Sequence, residues 1–187
     1  MPVTPLHLGP GIVLKAAIGK RLSLTVFSFS QVLMDAEVIG RLLLGAEQLH
    51  GFTNSITGAT AVLLPAVLIG RPVCTWALTW WNRNLSPNDE WLRPVEPSIS
   101  FEAAWAGAAL GVYSHWALDA LMHADAQPLW PFSSAKPFAD WLSVNAIHTG
   151  CVAFLFLGIS LLVIGRVTNR MRVRADPNVV KLAFFEL

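Results

Sequence analysis

The sequence predicts an all-α polytopic membrane protein: a helix bundle of about four spanning helices preceded by an N-terminal half-span. Three observations predict it. The chain of 187 residues is 54% hydrophobic and only 13% charged, about half the charge of an ordinary soluble domain, and its mean hydropathy is +0.53. Its apolar residues gather into five segments. Its Lys and Arg residues collect beside alternate segment ends, the asymmetry that orients helices in a membrane. A formal net charge of +1 carries no signal for nucleic acid, and none is expected as a partner.

The first segment, 8–19, is too short to span, opens with Gly9-Pro10, and reads as a half-span or re-entrant helix. His7, Gly9, Pro10 and Lys15 interrupt its apolar run and no small-residue cleavage site follows, so a signal peptide is not expected. The second segment, about 22–44, carries Asp35 and Glu37, and the third, about 53–70, is loosened at Pro65. The stretch 73–81 is apolar and Trp-rich but short, and reads as an interfacial piece. The fourth segment runs from about 101 to 123, and the fifth, 141–163, is the cleanest spanning signal. Cys74 and Cys151 lie far apart with no CxxC partner, so no disulfide framework is expected. Residues 1–165 are expected to form one membrane-embedded domain, and 166–187 a basic cytoplasmic tail.

Lys20 and Arg21 follow the first segment, and Arg71 the third, with Arg83 and Arg93 in the next loop; Arg166, Arg170, Arg172 and Arg174 follow the fifth. Placing these regions in the cytoplasm leaves only Lys136 in the outer loops, with Arg41 near the end of the second segment. The expected location is therefore the inner membrane, with a cytoplasmic C-terminus beside anionic lipid. His7, Asp35, Glu37, His50, His115, Asp119 and His123 then all fall in the outer half.

The most informative stretch is Ser114-His115-Trp116-Ala117-Leu118-Asp119-Ala120-Leu121-Met122-His123. His, Asp and His at i, i+4 and i+8 line one face of a helix. Ionisable groups at membrane depth are costly and face a polar interior or a pathway, and imidazole with carboxylate suits zinc and neighbouring divalent metals. The bland alternative is a His–Asp hydrogen bond that joins helices. Asp35 and Glu37, two residues apart, do not share a helix face; both serve one site only if the helix breaks there, and otherwise one is a ligand and the other a cap or interhelical partner. Alone, His50 is a weak signal and His7 reads as solvated. His148 has no acidic neighbour and reads as a packing or hydrogen-bonding residue. Pro128-Leu129-Trp130-Pro131-Phe132-Ser133 is a rigid connection whose aromatics suit an interfacial anchor or a pocket wall.

Taken together, Thr4-Pro5-Leu6-His7-Leu8-Gly9-Pro10, Asp35-Ala36-Glu37, Leu49-His50-Gly51-Phe52-Thr53-Asn54-Ser55, His115-Trp116-Ala117-Leu118-Asp119-Ala120 and Pro128-Leu129-Trp130-Pro131-Phe132 resemble the prokaryotic membrane-bound metal-dependent hydrolase-like proteins. The His/Asp order is also distantly similar to that of zinc-dependent phospholipase C. The resemblance implies metal-binding roles for His7, Asp35, His50, His115 and Asp119, with Glu37 and His123 as additions. Where that family has a second histidine in a His-Gly-x-x-His pattern, this chain has Asn54, a poor ligand for zinc.

The expected function is a membrane-embedded divalent-metal-binding protein, a metal-dependent hydrolase of a lipidic phosphoester or ester. Zinc is the expected cofactor, and Glu37, as general base, and His123 are the candidate catalytic groups. Membrane lipids are the expected partners. A different class is a non-catalytic accessory subunit of a larger membrane complex, with other membrane subunits as partners and the His/Asp cluster structural. A third is an ion or proton pathway relayed by Asp35, Glu37, His115 and Asp119.

Overall fold

A computed structural model describes residues 4–86, 97–139 and 141–175. These residues are all-helical, with no strand among them, in six α-helices: α1 (Leu8–Ile18), α2 (Leu24–Leu43), α3 (Ile56–Leu68), α4 (Gly70–Asn84), α5 (Phe101–Met122) and α6 (Val144–Ala175). Arg93 and residues 176–187 of the expected tail lie outside the described residues.

Local chemistry sets the helix ends. Ser23, Ser55 and Ser100 each accept a hydrogen bond from the backbone N–H three residues on, which starts α2, α3 and α5. Lys15 Nζ donates to the carbonyls of Gly19 and Leu22, closing the end of α1. Pro65 stays within α3; the axis breaks after Leu68, and α4 leaves at 44°. The Trp-rich piece expected at 73–81 is thus part of a 15-residue helix. The Arg run after 163 continues α6 through Ala175 rather than forming a loose tail, as Arg is a good helix former.

The centre of the molecule is the α2–α5 pair, with α3 across it, while α1 lies mainly along α6. Small residues allow the close approach. A Cβ at Gly107 or Gly111 would run into Ser23, Phe27 or Ser30 of α2, and one at Gly9 or Gly158 into the facing helix of the α1–α6 pair. The largest apolar core cluster gathers Val26, Ala66, Val67, Ala104 and Ala108 from α2, α3 and α5.

Among the described residues only α6, over Val144–Thr168, is by itself long and apolar enough to cross a membrane; α3 and α4 meet the same test only as a bent pair. The expected count of four spans is not reproduced on that measure. One physical reason is that α2 and α5 carry Gln31, Asp35, Glu37, Arg41, His115 and Asp119, and polar groups lower the apolar character of the helices that hold them.

Candidate metal centre

The site forms where one end of the bundle gathers the C-terminal halves of α2 and α5, the start of α1 and the loops after α2 and α5. α5 presents His115 and Asp119 one turn apart, both buried, with His115 Nε2 3.0 Å from Asp119 Oδ2. α2 adds Asp35, whose Oδ1 lies 3.3 Å from the same Nε2. The turn before α1 inserts His7, only 2% exposed, edge-on to His115 with ring centroids 4.9 Å apart. His7, His115 and Asp119 each offer a ligand atom within 4.8 Å of the others.

Hydrogen bonding decides which nitrogen of His115 faces the cluster. Gln31 Nε2 donates to the Gly111 carbonyl at 3.0 Å, which can only accept. The other amide atom of Gln31 is therefore its oxygen, which sits 2.7 Å from His115 Nδ1 and also only accepts. Nδ1 thus carries the proton, and in the neutral ring Nε2 presents its lone pair to Asp35 and Asp119. Both carboxylates lie within ion-pair distance of Nε2, yet neither is aligned for a hydrogen bond, and both nitrogens of His7 are likewise buried without a partner among the described residues. Burial, with His115 beside it, pushes the His7 imidazole down to about 4, so at neutral pH His7 is an uncharged donor of electron pairs.

Asn54 is fully buried and its Nδ2 donates to Asp119 Oδ2. It orients the carboxylate from behind instead of supplying a ligand of its own.

The remaining predicted residues divide. His123 caps α5 and leaves the helix, so the expected three-residue stripe stops at Asp119; its Nε2 still lies 4.0 Å from Asp119 Oδ1. His123 stacks on His50 with centroids 3.8 Å apart, and these two with Asp125 make a second group of ligand atoms within 4.8 Å of one another. Asp125 Oδ1 accepts from His50 Nδ1 at 2.7 Å, and its Oδ2 accepts from the backbone of Leu49 and His50. Burial works against ionisation of Asp125, but the N–H of His50 and its imidazole outweigh it and hold the carboxyl below its ordinary range.

Glu37 goes elsewhere. α2 is unbroken from Leu24 to Leu43, so Glu37 faces away from Asp35 and binds the loop before α3. Its carboxylate accepts from Arg41 Nε, Phe52 N, Thr53 N and Thr53 Oγ1. Of the two readings of the acidic pair, the geometry gives one site carboxylate and one loop anchor. A Cβ on Gly51 would strike the side chains of Glu37 and Arg41. His148, expected to pack or to hydrogen-bond, has a buried Nε2 with no hydrogen-bond partner among the described residues.

His7, Asp35, His50, Asp119, His123 and Asp125 all line one cavity of ≈ 290 Å³. Gln31 and Asp125 are the site residues that the sequence reading passed over. Asp125 had a signal, two residues after His123, but beyond the end of the helical spacing. Comparison of the chain with protein-family models, curated proteins and solved structures finds no match.

Proposed function

We propose that the protein is a membrane-embedded divalent-metal protein that hydrolyses a lipidic phosphoester or ester. The observation that carries this reading is His115 Nε2, fully buried and within 3.3 Å of two carboxylates yet aligned for a hydrogen bond with neither. A cation among these groups offsets the repulsion between the two carboxylates, and a metal ion bound at Nε2 would supply it. Ligand atoms about 3.4 Å apart are what a tetrahedral zinc with bonds near 2.1 Å requires, close to the 3.0 Å between His115 Nε2 and Asp119 Oδ2.

His7, His115 and Asp119 would hold the ion, with Asn54 and Gln31 fixing two of them from behind. Three protein ligands leave a position open, the form of catalytic rather than structural zinc sites. A bound divalent ion supplies Lewis acidity and lowers the pKa of water. Asp35, half-buried on the cavity wall, is the group we assign to take the proton at Oδ1, since Glu37 is fully occupied. The exposed apolar face of α6, including Phe154, Phe156, Leu161, Val163 and Ile164, supports lipid as the surroundings of that helix, and a bundle of four spans with the cavity in the outer half is the topology of this proposal.

The test is elemental analysis of protein purified in mild detergent without chelator, with a screen of phosphoester and ester lipids. The reading expects bound zinc or a neighbouring divalent metal, loss of it in His115→Ala and Asp119→Ala, and metal retained without activity in Asp35→Asn. A folded, metal-free wild type refutes it and leaves the accessory-subunit reading, which stable co-purifying membrane partners at fixed ratio would support.

A further inference from the structure

We infer that the same cavity holds a second divalent cation, bound by His50 and His123, with the Asp119 carboxylate bridging it to the first. The inference rests on the metal reading above and extends it.

Four observations carry it. The two imidazoles come from different parts of the chain, stack with centroids 3.8 Å apart and planes at 18°, and line the same cavity. The side chain of His50 is 8% exposed, and Asp125 accepts its Nδ1 proton at 2.7 Å. That leaves Nε2 of His50 as the ligating atom, the carboxylate–histidine pairing found behind metal ligands. His123 Nε2 is buried with no hydrogen-bond partner among the described residues, and the nearest acid to it is Asp119. Finally, the two oxygens of Asp119 face opposite ways: Oδ2 lies 3.0 Å from His115 Nε2 and Oδ1 lies 4.0 Å from His123 Nε2. One carboxylate thus stands between the two imidazole sets, as a bridge in a two-metal centre does, where the ions lie about 3.5–4 Å apart.

Asp125 is a positioning residue in this scheme. Its oxygens are used by His50 and the backbone of Leu49 and His50, so it acts through His50.

The experiment is zinc stoichiometry. Detergent-purified full-length protein is stripped with chelator, dialysed against excess Zn²⁺, freed of unbound ion by gel filtration and analysed for zinc. The expected result is two zinc ions per chain in the wild type, one in His50→Gln and in His123→Gln, and none in Asp119→Ala. A monodisperse gel-filtration peak verifies the fold of each variant, and Mn²⁺ loading gives a second readout: a spin-coupled pair signal in the wild type that is lost in His123→Gln. One zinc in the wild type, unchanged in His123→Gln but lost in His115→Ala, overturns the second cation and leaves the first. No zinc in the wild type overturns both.

Discussion

Gln31 touches no cavity and no expected ligand-bearing pattern, yet the account requires it for metal affinity. Its side chain is fully buried on α2, with Oε1 2.7 Å from His115 Nδ1 and Nε2 3.0 Å from the Gly111 carbonyl. Gln31→Met keeps the volume and removes both bonds. His115 then loses the partner that fixes its ring and makes Nε2 the basic nitrogen. Loss of such an outer partner costs about 10–100-fold in metal affinity, or about 1.4–2.7 kcal/mol of binding free energy. The variant also leaves a buried imidazole N–H unpaired, at about 1–3 kcal/mol of stability, while the Gly111 carbonyl keeps its bond from Ser114 Oγ. Competition against a chromophoric zinc chelator in detergent measures the first effect, and thermal unfolding the second. Gln31→Glu retains an acceptor toward Nδ1 and is expected to bind zinc far more tightly than Gln31→Met. A folded Gln31→Met with wild-type zinc affinity would refute the assignment of Nε2 as the ligating atom.

Glu37→Gln is expected to lower stability by about 1–3 kcal/mol because four donors converge on its carboxylate, while zinc content stays at the wild-type level; zinc loss with an intact fold would return Glu37 to the ligand set. Gly9→Ala places a methyl against the Cys151 carbonyl, so α1 must shift on α6 and carry His7 with it, costing about 1–3 kcal/mol and weakening zinc binding; Gly150→Ala, with open space around its Cβ, is the tolerated control on α6. The metal-free protein should lose stability as pH falls from 6.5 to about 4. His7 takes its proton near 4 in the fold and near 6.5 when unfolded, so the unfolded state binds more protons in that window and the stability fully present above it is lost, up to about 3 kcal/mol. His7→Phe should flatten that slope, and equal slopes in the two metal-free proteins would contradict it.

The helices of the site were legible because long apolar runs mark them: the expected segments 22–44 and 101–123 correspond to α2 and α5. α4 was underestimated because Thr, Asn and Arg interrupt its tryptophans, which hides a helix from an apolar-run criterion. The spacing from His115 to Asp119 foretold a shared face. It could not foretell that the helix would end at Met122 and turn His123 onto His50, since nothing in the spacing marks the cap. The two roles of the Asp35/Glu37 pair follow from an unbroken α2, and the loop partners of Glu37, Phe52 and Thr53, lie about fifteen residues away, beyond the reach of local spacing. Gln31 escaped for the same reason: its partners on α5 are eighty residues distant. Asn54 reads as a lost ligand in sequence and as a carboxylate-orienting group in space.

The most direct test of the central claim is X-ray absorption at the zinc edge on zinc-loaded protein in detergent. The account predicts a first shell of nitrogen and oxygen alone near 2.0–2.1 Å with the outer scattering of imidazole. A sulfur shell near 2.3 Å, pointing to Cys74 or Cys151, or a hydrated ion without imidazole scattering, would contradict it.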